Sequence, residues 1–200
     1  MEKQIIITLG REFGSGGHKI AEKLAERLQI EFMDRERIDR AIEEMGFSKE
    51  VASEYDEKGG NVFFARNLNG YTNSAPDYEA QAEFDYICKK ADEGVSFIVV
   101  GRCAEEFLRG RNNVISVFVR ADDNYKMRRI MDEYDLSSEK SLNLMRRMDR
   151  ERKYYHNYYC TEKWGDTRAY DFTVNSSMLG LEKTVEILEY IIRQKIEKLR

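Results

Sequence analysis

The sequence predicts an α/β protein: a parallel sheet of short strands, separated by helices that cover it. Three observations carry this. Five strand-length runs recur along the 200 residues, at 5–9, 31–34, 97–100, 114–119 and 171–175. The runs are apolar throughout or nearly so, as suits strands covered on both faces, and strands that alternate with helices return by right-handed crossovers. The third observation is Ile5-Ile6-Ile7-Thr8-Leu9-Gly10-Arg11-Glu12-Phe13-Gly14-Ser15-Gly16-Gly17-His18-Lys19-Ile20, an apolar strand that runs through a glycine-rich turn directly into a helix.

From Gly17 the helical pattern places Ile20, Leu24 and Leu28 on one stripe, with Ala21 and Ala25 beside it. The second strand, 31–34, ends on the carboxylate of Asp34. A polar helix is expected over about 35–45 and another from Ser48, a reasonable N-cap. Residues 56–77 hold Gly59-Gly60, Asn69-Gly70, Asn73-Ser74 and the only proline, Pro76, and read as a loop or the tip of an insertion. A helix over 78–92 turns Phe84, Ile87 and Cys88 inward. After the strand at 97–100 come Gly101-Arg102 and a short helix at 104–108. The strand at 114–119 leads to a helix capped by Asp122 or Asp123 and running through Glu133. Ser137 or Ser138 caps the next, which carries Arg146, Arg147, Arg150 and Arg152 into a tyrosine-rich segment ending near Trp164. The last strand precedes a helix with Leu181, Val185, Leu188, Ile191, Ile192 and Ile196 at core spacing.

The composition, 42% hydrophobic and 35% charged, is that of a single globular domain. A net charge of −4 argues against general nucleic-acid or membrane-surface binding, although basic residues cluster between Arg120 and Arg152. The three cysteines, Cys88, Cys103 and Cys160, are odd in number and widely spaced, and read as reduced thiols of a cytoplasmic protein. The N-terminus enters a core strand without a signal-peptide pattern, and no apolar run reaches the roughly 20 residues of a spanning helix.

In open parallel sheets ligands sit beyond the carboxyl ends of the strands. Gly10, Asp34, Gly101-Arg102 and Asn175 all lie on that rim. The glycine-rich turn suits a phosphate cradle: its backbone N–H groups point inward, and the following helix adds the positive end of its dipole. Gly10, Gly14, Ser15, Gly16, Gly17, His18 and Lys19 are therefore the candidate nucleotide-binding residues, and Ser15 is a candidate contact to magnesium. Measured against the P-loop pattern G-x-x-x-x-G-K-[ST], Gly17 stands at the lysine position and His18 at the hydroxyl position. Arg146 and Arg150, four apart on a helix, repel one another and call for an anion. The same holds for Arg102 at the end of a buried strand.

Taken together these residues resemble the nucleoside monophosphate kinases, and most closely the cytidylate kinase-like proteins. Gly10 to Gly17 followed by Ile20-Ala21 is similar to the variant P-loop of that group. Asp34 falls where the monophosphate-binding region begins, and Val99-Val100-Gly101-Arg102 resembles the strand whose terminal arginine contacts the acceptor. Arg146-Arg147-x-Asp149-Arg150-x-Arg152 falls at the arginine-rich lid. The segment from Tyr170-Asp171 through Asn175-Ser176-Ser177 to Leu179-Gly180 is similar to the closing strand and final helix start.

The resemblance implies a three-layer P-loop NTPase fold, with a five-stranded parallel sheet, in one domain spanning 1–200. Its core would be 1–34, 95–145 and 168–200, with an acceptor-binding insertion at about 35–92 and a lid at about 146–165. It implies ATP-dependent phosphorylation of a nucleoside monophosphate, CMP or dCMP, with Mg²⁺ entering with ATP. Arg150, Arg152, Lys19 and Arg11 are then the catalytic candidates, and Asp34, Arg37, Arg102, Arg146 and Asp149 the acceptor-binding ones. The chain departs from the family pattern at Gly17, where ordinary cytidylate kinases carry lysine, so Lys19, Arg11 or a lid arginine would supply that charge. Two alternatives stay open: a nucleotide-binding sensor or regulator, and a kinase of another small acceptor on the same fold.

Overall fold

The computed structural model describes residues 4–46 and 75–199. Strand β1 (Ile6–Arg11) is followed by α1 (Gly17–Leu28), β2 (Glu31–Met33) and α2 (Arg35–Glu44), and the chain resumes at α3 (Ala75–Asp92). Then come β3 (Phe97–Val100), α4 (Ala104–Phe107), β4 (Val114–Arg120), α5 (Asp123–Tyr134) and α6 (Ser138–Tyr159). A 3₁₀ turn (Thr167–Ala169), β5 (Phe172–Asn175) and α7 (Gly180–Lys198) complete it. All strand pairs are parallel and the sheet order is β2-β3-β1-β4-β5, so the expected five-stranded α/β architecture is the observed one.

Alternate residues of β1 enter two cores. Ile5, Ile7 and Leu9 pack with Ile20 and Leu24 of α1 and with Val185, Leu188 and Ile192 of α7. Ile6, with Met33, Phe97 and Val99, packs on the opposite face against Ile38 of α2 and Ile87 of α3. Both faces of the sheet are thereby covered, which is why its strands carry almost no polar residues.

The boundaries follow local chemistry. Asp34 caps α2 by accepting the Arg37 N–H at 3.0 Å, and Ser137 caps α6 by accepting the Lys140 N–H at 3.4 Å. Asp122 precedes α5 without such a bond, and its carboxylate accepts from Asn175 instead. The expected helix from Ser48 and the loop over 56–74 lie outside the described residues. The expected loop gives way to α3 from Ala75, with Pro76 in the first turn, where a missing N–H is harmless. Helix α6 runs unbroken for 22 residues, so the segment at 146–159 is its second half, and it ends before Trp164.

Strand β1 also runs two residues past the expected 5–9, pairing Gly10 with Phe118 and Arg11 with Val119. The Glu12 N–H continues this ladder to Val119 O, and the Glu12 carboxylate accepts from the Ala121 N–H and from buried Lys126. The glycine-rich turn thus begins one step later than the glycine pattern alone indicates.

Candidate active site

Gly16, at φ 79°, starts α1 with no side chain capping the helix and no acid in its first turn. Among the described residues, the N–H groups of Gly14, Gly16, His18 and Lys19 have no hydrogen-bond partner. Four unpaired donors at a helix N-terminus form an anion site. The side chains around them hold the turn in place. Ser15 is fully buried, and its hydroxyl donates to Glu12 O and accepts the Gly17 N–H. The expected contact of Ser15 to magnesium is therefore not made available: that hydroxyl is spent within the loop. Arg129 of α5 donates to Gly14 O at 3.0 Å, Ser176 to Ser15 O at 2.6 Å, and Asp149 of α6 accepts the Phe13 N–H at 2.6 Å. Burial raises the Asp149 carboxyl in spite of that bond and the nearby Lys126 and Arg152 charges. Asp149 thus supports the loop.

Beside the cradle, over the ends of β1 and β3, lies a cavity of ≈ 300 Å³. Arg11, Arg102 and Arg152 line it, with Arg35 at its edge and Tyr155, Trp164 and Tyr170 as walls. Arg11, the last residue of β1, reaches into it beneath the loop. Its guanidinium is pushed down to about 9, by desolvation first and then by the Arg152 and Arg102 charges, against the pull of Glu105 and Asp34. Its Nε has no partner among the described residues. Arg152 donates to Arg11 O at 3.2 Å and lies over the Phe13 ring; burial lowers its pKa against the pull of Asp149.

Arg102 leaves β3 through three successive left-handed residues, Gly101 (φ 77°), Arg102 (φ 61°) and Cys103 (φ 53°). Such strain costs on the order of 1–3 kcal/mol per non-glycine residue and collects at functional sites. Glu83 of α3 accepts twice from Arg102, at 3.0 and 2.9 Å, and the Arg102 guanidinium stacks on Tyr155. Burial disfavours the Arg102 charge, and Tyr155 and Glu83 outweigh it, holding its pKa above the ordinary value. The partner of Arg102 is Glu83.

The glycine at the lysine position has a steric explanation. A Cβ on Gly17 would lie 2.6 Å from Arg11 Cβ, and one on Gly101 would strike the Arg11 guanidinium. The two glycines clear the path along which Arg11 crosses to the cavity. Gly10 is bare for a related reason, since its Cβ would come 2.8 Å from Phe118.

Other candidates lie elsewhere. Lys19 is half exposed and turns to Glu133 of α5, 3.9 Å away. Arg146 and Arg150 are exposed on the outer side of α6, because only Arg152 has the helical phase that faces the loop. Arg37 donates to Phe32 O at 3.5 Å and stacks on that ring, outside the cavity lining. His18 is exposed and bonds to Asp34 at 3.0 Å. Burial pushes the Asp34 carboxyl up, and the Arg37 N–H and His18 outweigh it, holding it below the usual range.

Glu83, Lys126 and Arg129 are not singled out by the sequence. Two of them left a signal there: Glu83 falls in the apolar stripe Ala80, Phe84, Ile87, Ala91 of α3, and Lys126 shares the stripe of Ile130. A charged residue at a core position is rarely buried unpaired, so each of these two implies a partner of opposite charge across the packing.

Among the described residues no helix is long and apolar enough to cross a membrane. A search among curated proteins finds no match. Among solved structures, an uncharacterized protein from Eubacterium ventriosum is 36% identical, with a TM-score of 0.75 over 95% of this chain and 99% of its own. A gluconokinase from Sinorhizobium meliloti has a TM-score of 0.54 at 12% identity, covering 100% and 97%. A shikimate kinase from Bacteroides thetaiotaomicron has 0.53 at 14% identity, covering 94% and 98%. At these identities the two kinases share the fold. The profile of the cytidylate kinase-like family matches residues 6–178. With residues 6–178 of its 200 matched, the chain belongs to the cytidylate kinase-like family.

Proposed function

We propose that the protein transfers the terminal phosphoryl group of ATP to an anionic acceptor held in the arginine-lined cavity, a nucleoside monophosphate and specifically CMP or dCMP. The observation that carries this reading is the partly buried Arg11 guanidinium at the cavity, set against the charges of Arg152 and Arg102 and with no partner at Nε among the described residues. Uncompensated buried cations are costly, and a bound phosphate converts the repulsion into charge-assisted hydrogen bonds. The unpaired N–H groups at Gly14, Gly16, His18 and Lys19 would hold the donor's β-phosphate. Arg129, fixed to Gly14 O, adds charge beside it.

Phosphoryl transfer needs the two phosphates in line, water kept out and positive charge around the moving oxygens. Arg11 would hold an acceptor oxygen next to the cradle and take over the charge of the absent lysine. Arg152 spans the two, being tied to Arg11 O and facing the cavity. Trp164 and Tyr170 wall the cavity from solvent. The hard oxygens of Asp34, joined through His18 to the first turn of α1, suit magnesium, and Asp34 would order its water ligands. Bound with ATP, the ion would neutralise charge on the β- and γ-phosphates.

A second reading has its own observation. A cavity of ≈ 300 Å³ suits a compact acceptor, and arginine forks hold carboxylate as readily as phosphate. The similar folds include a shikimate kinase and a gluconokinase, so a small hydroxy acid is the competing acceptor. A coupled ADP-release assay with Mg-ATP against CMP, dCMP, UMP, AMP, GMP, shikimate and gluconate tests both. Turnover confined to CMP and dCMP supports the first, and turnover with a hydroxy acid alone replaces it with the second. No turnover with any of them, with ATP still binding by calorimetry, would favour a nucleotide sensor.

A further inference from the structure

Where the C-terminal end of α6 meets the turn after β3, on the wall of the arginine-lined cavity, three side chains with metal-binding chemistry converge. Glu105, His156 and Cys160 each offer a ligand atom, and these atoms all lie within 4.8 Å of one another. The Cys103 thiol, 2% exposed, touches that of Cys160. His156 is 5% exposed; its Nε2 bonds to Glu105 at 2.9 Å, while its Nδ1 has no hydrogen-bond partner among the described residues. Buried imidazole nitrogens are normally satisfied, so this orphan marks the cluster as incomplete.

We infer that Glu105, His156 and Cys160, with Cys103 beside them, bind a soft divalent cation of the zinc class. Mixed sulfur, nitrogen and oxygen donors select zinc over magnesium, and three protein ligands leave one position of its tetrahedron open. When a cation binds, the Cys160 proton leaves to solvent and the thiolate becomes a ligand.

The ligands come from two segments, α4 with the turn before it and the last turn of α6. A bound cation therefore pins the end of α6 to the sheet, and with it Arg152 and Tyr155, one turn earlier on the same helix. It shapes the cavity wall without entering the transfer step. This proposal stands independently of which acceptor the cavity takes.

The test is a Co²⁺ titration of the full-length protein after chelator treatment, followed by visible absorption. One equivalent should bind, with the thiolate charge-transfer band and strong visible bands of a tetrahedral site, and Zn²⁺ should displace it. Cys160→Ser should weaken binding by at least about tenfold, and Cys88→Ser should leave the spectrum unchanged. Zn²⁺ should also raise the Tm of the stripped wild type but not that of Cys160→Ser, whose fold is checked by near-UV circular dichroism. Absence of a tetrahedral spectrum at stoichiometric Co²⁺ would overturn the proposal. So would a spectrum or a Zn²⁺-dependent Tm rise that survives in Cys160→Ser, or one lost in Cys88→Ser.

Discussion

Replacing Arg11 by methionine would remove the charge at the base of the cavity and keep an unbranched stem where the arginine stem lies against Gly17. The guanidinium is pushed down to about 9, which at about 1.4 kcal/mol per tenfold amounts to several kcal/mol of disfavoured charge. Replacing a buried charge by an apolar side chain typically recovers only part of that, about 1–4 kcal/mol. We expect the acceptor-free variant to be more stable by about 2 kcal/mol, a Tm rise of about 4–8 °C for a chain of this size. The pH window follows from the sign. The folded value lies below the unfolded one, so from about 9 up to the ordinary guanidinium value the unfolded chain holds more protons. The penalty is fully present at neutral pH and is relieved only as pH rises through about 9. Activity should move the other way, with kcat/KM for the acceptor falling about 10³-fold, or roughly 4 kcal/mol of transition-state contact. Differential scanning fluorimetry with and without acceptor, beside the coupled ADP assay, reads both effects. If kcat/KM stays within about tenfold of wild type, or the acceptor-free Tm falls, Arg11 is a structural residue and the cavity assignment fails.

The other expectations concern the same frame. Arg152→Ala should lower kcat/KM by about 10²–10³, while Arg150→Ala, on the exposed side of α6, should change it less than about threefold; steady-state kinetics with the reverse ranking would show that α6 turns on nucleotide binding. Gly17→Lys, which restores the usual P-loop residue, should destabilise by about 1–3 kcal/mol because its Cβ meets Arg11. Adding Arg11→Ala should recover much of that loss, and a double-mutant cycle without coupling would refute the steric link. Glu83→Gln leaves the Arg102 charge buried and half-paired, and urea titration should find a loss of about 3 kcal/mol; an unchanged midpoint would mean that Tyr155 and solvent suffice.

The five strands, the glycine-rich turn and most helix limits were legible in the sequence because each is set within a few residues. Apolar runs mark strands covered on both faces, and Asp34 and Ser137 cap helices with bonds to residues three positions on. Sequence likewise identified the cradle, since glycines at fixed offsets before a helix free its first N–H groups. It could not rank the arginines. Which of Arg11, Arg102, Arg146, Arg150 and Arg152 share one cavity depends on the rotational phase of α6 and on how far β1 pairs with β4. Both are decided by contacts between residues more than a hundred positions apart, such as Arg152 with Arg11 O and Asp149 with the Phe13 N–H. The same holds for the missing lysine: Gly17 reads as a loss along the chain, and only the packing of the Arg11 stem against it shows that a side chain there would have no room.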